Sequence, residues 1–270
     1  MAVLLGLVTI FLAFSVFPIF SVYAATCSAG EAVMEVYTGK LLYGKNEKEK
    51  LPMASTTKIV TAVIIAEDCD LKEIIKIPPE AVGVEGSSVY LKAGEEYSVG
   101  DLLYGLMLRS GNDCAETLAL YHSKSINAFA AEMNRRVKTW GALNSHFVNP
   151  HGLPNENHYT TAEDLAKISC HAMKNSVFKE IVSTKYYEPY NWKNKNKMLY
   201  NYEGTNGIKT GYTVRAGRCL VTGALRGDMQ LVCVVLNSPE MYERSAELLD
   251  EAFKKYSMRM IYDEIKEFIN

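Results

Sequence analysis

The sequence predicts an α+β fold in which both ends of the chain feed one mostly antiparallel sheet and the middle supplies helices. Three observations predict it. Strand-like alternation runs from Glu31 to Tyr43, two β-rich runs return at Arg218–Leu225 and Met229–Leu236, and helical periodicity fills the space between.

The first run reads as a hairpin, Ala-Val-Met-Glu-Val-Tyr, a Thr38-Gly39 turn, then Leu-Leu-Tyr. Lys45 to Lys50 follows as a charged, solvated loop. Ser55 to Glu67 carries Ile59, Val63 and Ala66 at spacings of four and three with no Gly or Pro inside, which predicts a helix. A second helix starts at Ser98, carries Leu102, Leu103, Leu106 and Met107, and ends near Arg109; a third begins at Asp113. Ser125 caps a fourth whose face is Phe129, Met133, Val137 and Trp140 and which Gly141 stops. Thr160-Thr161-Ala162-Glu163 matches a capping box opening a fifth. Arg226-Gly227-Asp228 turns the two late strands into a hairpin, and Ser238-Pro239-Glu240 starts a last helix, with Ser as cap and the stripe Leu248, Leu249, Ala252, Phe253, Tyr256. No internal repeat is present.

At 48% apolar and 22% charged the chain is globular, and its 29 basic and 31 acidic residues give no basic excess for a nucleic-acid partner. The first charged side chain is Glu31. Ala2 to Phe17 is almost wholly apolar, Pro18 breaks the run, and Val22-Tyr23-Ala24 offers a small-x-Ala step, so residues 1–24 read as an export signal, without the usual basic start. Retained instead of cleaved, the same segment would be an anchor, and membrane attachment rests on that choice. Cys27, Cys69, Cys114, Cys170, Cys219 and Cys233 follow the cleavage point. Export permits disulfides, but a domain of this size needs none, and buried free thiols are expected. No Cys/His cluster stands at metal spacing, so neither metal nor cofactor is implied.

Three short motifs occur in order: Ser55-Thr56-Thr57-Lys58, Ser110-Gly111-Asn112 and Lys209-Thr210-Gly211. The chain supplies its own decoys, Ser176-Val177-Phe178-Lys179 and Ser125-Ile126-Asn127, so context decides. The first motif opens a helix, the second joins two helices, and the third leads into strand-like sequence. A serine hydroxyl needs a nearby base to become a nucleophile. On a helix, residues three apart share a face, so Lys58 can reach Ser55. A helix start also aims free N–H groups at the oxyanion that forms when a carbonyl is attacked. Lys58 can be that base only when neutral, and burial beside a second cation such as Lys209 lowers its pKa. Ser110 would relay a proton to the leaving amine, and Asn112 would hold substrate backbone. A strand edge at Lys209–Gly211 suits an extended peptide ending in a carboxylate. Taken singly, Ser55 reads as a helix cap, Ser110 as a hinge and Lys209 as a turn.

Together the motifs resemble those of penicillin-binding serine enzymes, and the surrounding text is similar to the D-alanyl-D-alanine carboxypeptidases of peptidase family S11 from about Ala32 to Leu249. The stretches that carry the resemblance are Pro52–Lys58, Glu85-Gly86-Ser87-Ser88, Asp101–Met107, Asn149-Pro150-His151-Gly152-Leu153-Pro154 and Gly207–Thr213. It implies a β-lactamase/transpeptidase-like fold with a helical subdomain, and a single catalytic domain over residues 25–270. It also implies that Ser55 attacks the bond between two terminal D-alanines of a peptidoglycan stem pentapeptide while Lys58 takes its proton. Ser110 would assist D-alanine departure, and the backbone N–H groups of Ser55 and Tyr212 would form the oxyanion hole. Asn112, Lys209, Thr210 and Gly211 would bind substrate, and β-lactams would acylate Ser55 as covalent inhibitors. Such an enzyme works outside the cytoplasm, at the extracellular face of the cytoplasmic membrane, in the cell wall or in the periplasm. Members usually continue into a small β-rich domain and an amphipathic helix; here neither is expected, and Ile261–Ile269 reads as the tail of the last helix.

Other readings differ at named residues. A class A β-lactamase would show Asp at Gly111 and a Glu-x-x-Leu-Asn stretch, which the chain lacks. A metallopeptidase would pair His151 or His158 with an H-E-x-x-H motif, which is absent. A non-catalytic wall-binding or β-lactam-sensing domain would be free to lose Ser55, Lys58, Ser110 and Lys209, all of which stand.

Overall fold

The computed structural model of the chain describes residues 28–269; the leader expected over residues 1–24, and Cys27, lie outside the described residues. In chain order the elements are β1 (Gly30–Glu35), β2 (Leu41–Lys45), a 3-10 turn (Ala54–Thr57), α1 (Lys58–Asp68), β3 (Ile74–Lys76), β4 (Glu96–Ser98), α2 (Val99–Tyr104), a π turn (Gly105–Arg109), α3 (Asn112–Ser123) and α4 (Ile126–Thr139). Then come α5 (Ala162–Lys174), α6 (Ser176–Ser183), β5 (Tyr186–Tyr187), β6 (Trp192–Lys193), α7 (Met198–Asn201), β7 (Thr205–Thr213), β8 (Gly217–Arg226), β9 (Met229–Leu236), α8 (Met241–Lys255) and α9 (Met258–Ile269).

The main sheet has the order β2-β1-β9-β8-β7, antiparallel at every step, so the two chain ends meet where β1 pairs with β9 (Val33 opposite Cys233). Alternation along the central strands divides the interior into two cores. Val232, Val234 and Leu236 face the larger core with Ala32 and Met34, under α5 and the helical body. Leu231, Cys233 and Val235 face the other core with Val33, under α8 and α9. The α+β expectation therefore holds. The first hairpin turns where expected, and the Glu35 carboxylate fixes the turn by accepting from the N–H groups of Tyr37 and Thr38. Ser98 and Ser125 cap α2 and α4 through the N–H groups of Asp101 and Ala128.

Several boundaries differ from the sequence reading. The fifth helix is capped by Thr161, which accepts from Asp164 N–H at 3.1 Å; Thr160 is instead bridged to Leu51 through both its N–H and its carbonyl, which keeps it extended. Ser238 does not cap the last helix. Its N–H pairs with the Arg218 carbonyl, prolonging the sheet by a residue, so the helix waits until Met241. That helix ends at Lys255, Tyr256 is extended, and Ile261–Ile269 belongs to a separate helix whose Met258 and Ile261 are buried against the second core. Cys114, Cys170, Cys219 and Cys233 are buried free thiols; Cys69 is a free thiol too, but is only partly buried, unlike the expectation.

A buried ion pair ties α8 to the sheet. Arg244 donates to both oxygens of the fully buried Glu31 at 2.9 Å, and Tyr43 Oη donates to the same carboxylate at 3.0 Å. Burial alone would raise the pKa of Glu31; the Arg244 and Tyr43 hydrogen bonds outweigh it and hold the group below its ordinary 4.5. Its stabilising effect is thus complete above about pH 4.5 and is lost as pH falls through the depressed value. Glu31→Ala, which strands the guanidinium, is expected to lower stability by about 3 kcal/mol at neutral pH in denaturant unfolding. The gap to wild type should narrow in acid; a gap constant with pH would contradict the assignment.

Candidate active site

The site forms where β7, an edge strand, meets the start of α1. Met53 is buried, and the 3-10 turn that starts at Ala54, itself in a left-handed conformation (φ 49°), presents Ser55 partly exposed while Lys58 is fully buried. Thr56 and Thr57 lock this turn by donating their hydroxyls to the carbonyls of Met53 and Ala54 at 2.6 and 2.8 Å. Gly152 (φ 92°) lies so close behind that a Cβ there would sit 1.9 Å from the Ala54 carbonyl oxygen. Gly211 is equally tied to the turn, since a Cβ on it would lie 3.0 Å from Ser55 N and 3.1 Å from Met53 O.

Lys58 Nζ stands 3.0 Å from Ser55 Oγ, 2.7 Å from Asn112 Oδ1 and 2.8 Å from the His151 carbonyl oxygen. All three partners are neutral oxygens, and among the described residues no carboxylate forms an ion pair with it. Burial, reinforced by the Lys209 ammonium, pushes its pKa well below the ordinary lysine value. Lys209, itself 2% exposed, donates to the Thr210 carbonyl at 3.1 Å and is pushed down to about 7 by burial and by Lys195.

Ser110 is buried in a left-handed conformation (φ 66°) between the π turn and α3. The β5–β6 hairpin braces that turn: Tyr187 stacks on Tyr104 at 3.9 Å, Arg109 donates to the Lys193 carbonyl, and Lys195 N–H donates to the Leu108 carbonyl. Asn112 opens α3. Its N–H donates to the Ser87 carbonyl at 2.7 Å and its side-chain amide donates to the Glu85 carbonyl, which draws the Glu85–Ser88 loop over the site. The neighbouring Asp113 carboxylate finishes that loop by accepting from Ser88 Oγ and from the N–H groups of Val89 and Leu91.

The structure thus gathers Ser55, Lys58 and Asn112 by direct contact, Gly211 by close approach, and Lys209 by its electrostatic effect on Lys58. Thr210 lies on β7 beside Lys209, and Tyr212, next along the strand, is 65% exposed. Lys-Thr-Gly lies inside the strand rather than ahead of it. The decoys are ordinary helix starts, Ser176 behind its cap Asn175 and Ser125 as a cap itself. His151 and His158 are both buried, and His158 Nε2 lies 2.8 Å from Thr57 Oγ1. No group of three or more His, Cys, Asp or Glu able to hold a metal occurs among the described residues. Sequence reasoning missed the His151 carbonyl, Asp113, Gly152 and Lys195. Backbone acceptors carry no residue signature, and Lys195 sits in a lysine- and asparagine-rich stretch that looks like solvated loop.

Gly152→Ala is expected to destabilise the fold by about 2 kcal/mol or more, because the Ala54 backbone must move, and to displace Ser55. Gly39→Ala, also at positive φ (69°) but with nothing within 4 Å, should cost only about 1 kcal/mol. Equal unfolding midpoints for the two variants would contradict this account of the turn.

Residues 19–240 match the peptidase S11 family, described as D-alanyl-D-alanine carboxypeptidase. The chain is 35% identical over 247 residues to D-alanyl-D-alanine carboxypeptidase DacF of Bacillus subtilis, covering 85% of this chain and 63% of that one. It is 34% identical over 244 residues to the D-alanyl-D-alanine carboxypeptidase of Streptomyces sp. K15, covering 82% of this chain and 84% of that one. The crystal structure of the Streptomyces K15 DD-transpeptidase superposes with a TM-score of 0.79 at 32% identity, over 84% of this chain and 97% of that one. DacD of Francisella tularensis superposes with a TM-score of 0.78 at 28% identity, over 85% and 71%. The chain therefore spans under two thirds of the length of its Bacillus relative. With the family's motifs converging on one buried lysine and with these matches along most of its length, the chain belongs to the D-alanyl-D-alanine carboxypeptidase family, peptidase S11.

Proposed function

We propose that the chain is a serine D-alanyl-D-alanine carboxypeptidase that removes the terminal D-alanine from peptidoglycan stem pentapeptides. The observation that carries this reading is the full burial of Lys58 with its Nζ 3.0 Å from Ser55 Oγ and only neutral oxygens as its hydrogen-bond partners. Burial favours the neutral amine, which has two N–H donors for the Asn112 and His151 oxygens and a lone pair to take the Ser55 proton.

Ser55 Oγ attacks the carbonyl carbon between the two D-alanines as its proton passes to Lys58. The oxyanion is held by the backbone N–H groups of Ser55 and Tyr212, next to the close approach of Gly211 to Ser55 N. The C–N bond breaks, D-alanine leaves with a proton relayed through Ser110, and water releases the shortened stem from Ser55. Lys209 and Thr210 bind the terminal carboxylate. The amide of Asn112 has two N–H donors, so one can bind substrate backbone while the other holds Glu85. β-Lactams acylate Ser55 by the same attack. The substrate lies outside the cytoplasm, and so does the chain in this reading. Among the described residues no helix is long and apolar enough to cross a membrane. The likeness to a protein described as a DD-transpeptidase adds a second reading, in which an amine rather than water accepts the acyl group.

The test is D-alanine release from diacetyl-L-lysyl-D-alanyl-D-alanine, with and without an amino-acid acceptor. Ser55→Ala should lose release by ~10³-fold or more, together with labelling by fluorescent penicillin. Release that survives Ser55→Ala would overturn the mechanism, and labelling without release would favour a binding module. Because a carboxylate needs Lys209 protonated, kcat/KM, which follows the ionisations of the free enzyme, should fall as pH rises past about 7. A rise through that range would contradict the role given to Lys209.

A further inference from the structure

We infer that Glu116 is a positioning residue for the base, acting through the ring of His151 to hold the carbonyl that receives Lys58. The inference rests on the reading of Lys58 as the proton acceptor.

Asn112 and Glu116 are four residues apart on α3 and share one face of it. Asn112 reaches the amine directly. Glu116 Oε1 instead lies 3.0 Å from Nε2 of His151, a residue 5% exposed. The other ring nitrogen, Nδ1, accepts the Leu153 N–H at 3.2 Å, so the proton of the neutral ring is on Nε2 and is donated to Glu116. Both ring nitrogens are satisfied in that one tautomer, and the His151 carbonyl then points at Lys58 Nζ.

The rest of the turn is anchored elsewhere. Asn149 Oδ1 accepts from Gly152 N–H at 2.7 Å, Asn149 Nδ2 donates to the Leu153 carbonyl at 3.0 Å, and Thr61 donates its hydroxyl to the Pro150 carbonyl at 2.6 Å. Those bonds fix the turn internally and to α1. Glu116 ties it to α3, the helix that supplies the other carbonyl oxygen to the amine. The Glu116–His151 contact is thus the side-chain tie between α3, which carries one acceptor of Lys58, and the turn, which carries the other. The charged and titratable groups facing the ring are Glu116 from α3, Lys58 from α1 and His158 from the adjoining loop. Burial pushes His151 below its ordinary value against the pull of Glu116, and pushes His158 down to about 3. Both rings are neutral near pH 7, and Glu116 acts as a fixed acceptor.

Without that acceptor the buried Nε2–H is stranded; the ring turns to find a partner, Leu153 N–H loses Nδ1, and the carbonyl moves off Lys58. Acylation by fluorescent penicillin should slow about 10- to 100-fold in Glu116→Ala, the scale of a small displacement at a reacting centre. Glu116→Gln keeps an acceptor oxygen and should stay within about threefold of wild type, as expected for exchange of one satisfied hydrogen bond for another. His151→Ala leaves the carbonyl but removes the ring, so adding Glu116→Ala to it should slow acylation by no more than about twofold. Thermal unfolding is followed in parallel, and Glu116→Asp, whose carboxylate is withdrawn by one methylene, replaces Glu116→Ala under the same criterion should the latter not fold. Wild-type acylation in Glu116→Ala, a glutamine variant as slow as the alanine one, or multiplying effects in the double variant would each overturn the inference. Failure of wild type itself to label Ser55 would overturn the catalytic reading and this one with it, and is distinguished by that control.

Discussion

A lysine buried beside a reactive serine with no carboxylate to neutralise it is the constraint on which the site depends. An isolated ammonium in a dry interior costs several kcal/mol, and the group escapes that cost by giving up its proton. The surroundings of Lys58 are matched to the neutral form. Two carbonyl oxygens accept its N–H bonds, and neither carries the full charge that would hold the proton in place. Lys209 works in the same direction from β7. An Asp or Glu in place of Asn112 would satisfy the amine equally well as a hydrogen-bond acceptor and would pin it as an ammonium.

The fold brings together groups far apart in sequence to meet that constraint. The 3-10 turn, α3, the Asn149–Leu153 turn and β7 each contribute a wall, and the close approaches of Gly152 and Gly211 leave no room for a side chain between them. Behind them, the sheet that joins the chain ends is packed on both faces, with α8 clamped to β1 by Arg244 and Glu31. The 3-10 turn is thus pressed between rigid neighbours, and its left-handed Ala54 is held by the carbonyl contacts of Thr56 and Thr57.

Much of this was legible in the sequence where the signal is local. Hairpin turns at Thr38-Gly39 and Gly227-Asp228, the serine caps of α2 and α4, and Ser55 and Lys58 at one turn's spacing depend only on near neighbours. What escaped depends on distant ones. Thr160 could not be excluded as the cap of α5 without its bridge to Leu51, nor Ser238 as the cap of α8 without Arg218. The small β5–β6 hairpin, two residues per strand, is set by aromatic stacking against α2 that no periodicity displays. The third member of the cage around Lys58 is a backbone carbonyl, which leaves no mark on residue type.

The central claim is the protonation state of one amine, and direct titration tests it. With 15N-labelled lysine, the Nζ resonance absent from the spectrum of Lys58→Arg is followed from acid to alkaline pH. The account predicts a midpoint well below the ordinary 10.5, because burial and the Lys209 ammonium both disfavour the charged form. A resonance that stays in the ammonium position up to about pH 10 would contradict the account, because no base would then face Ser55.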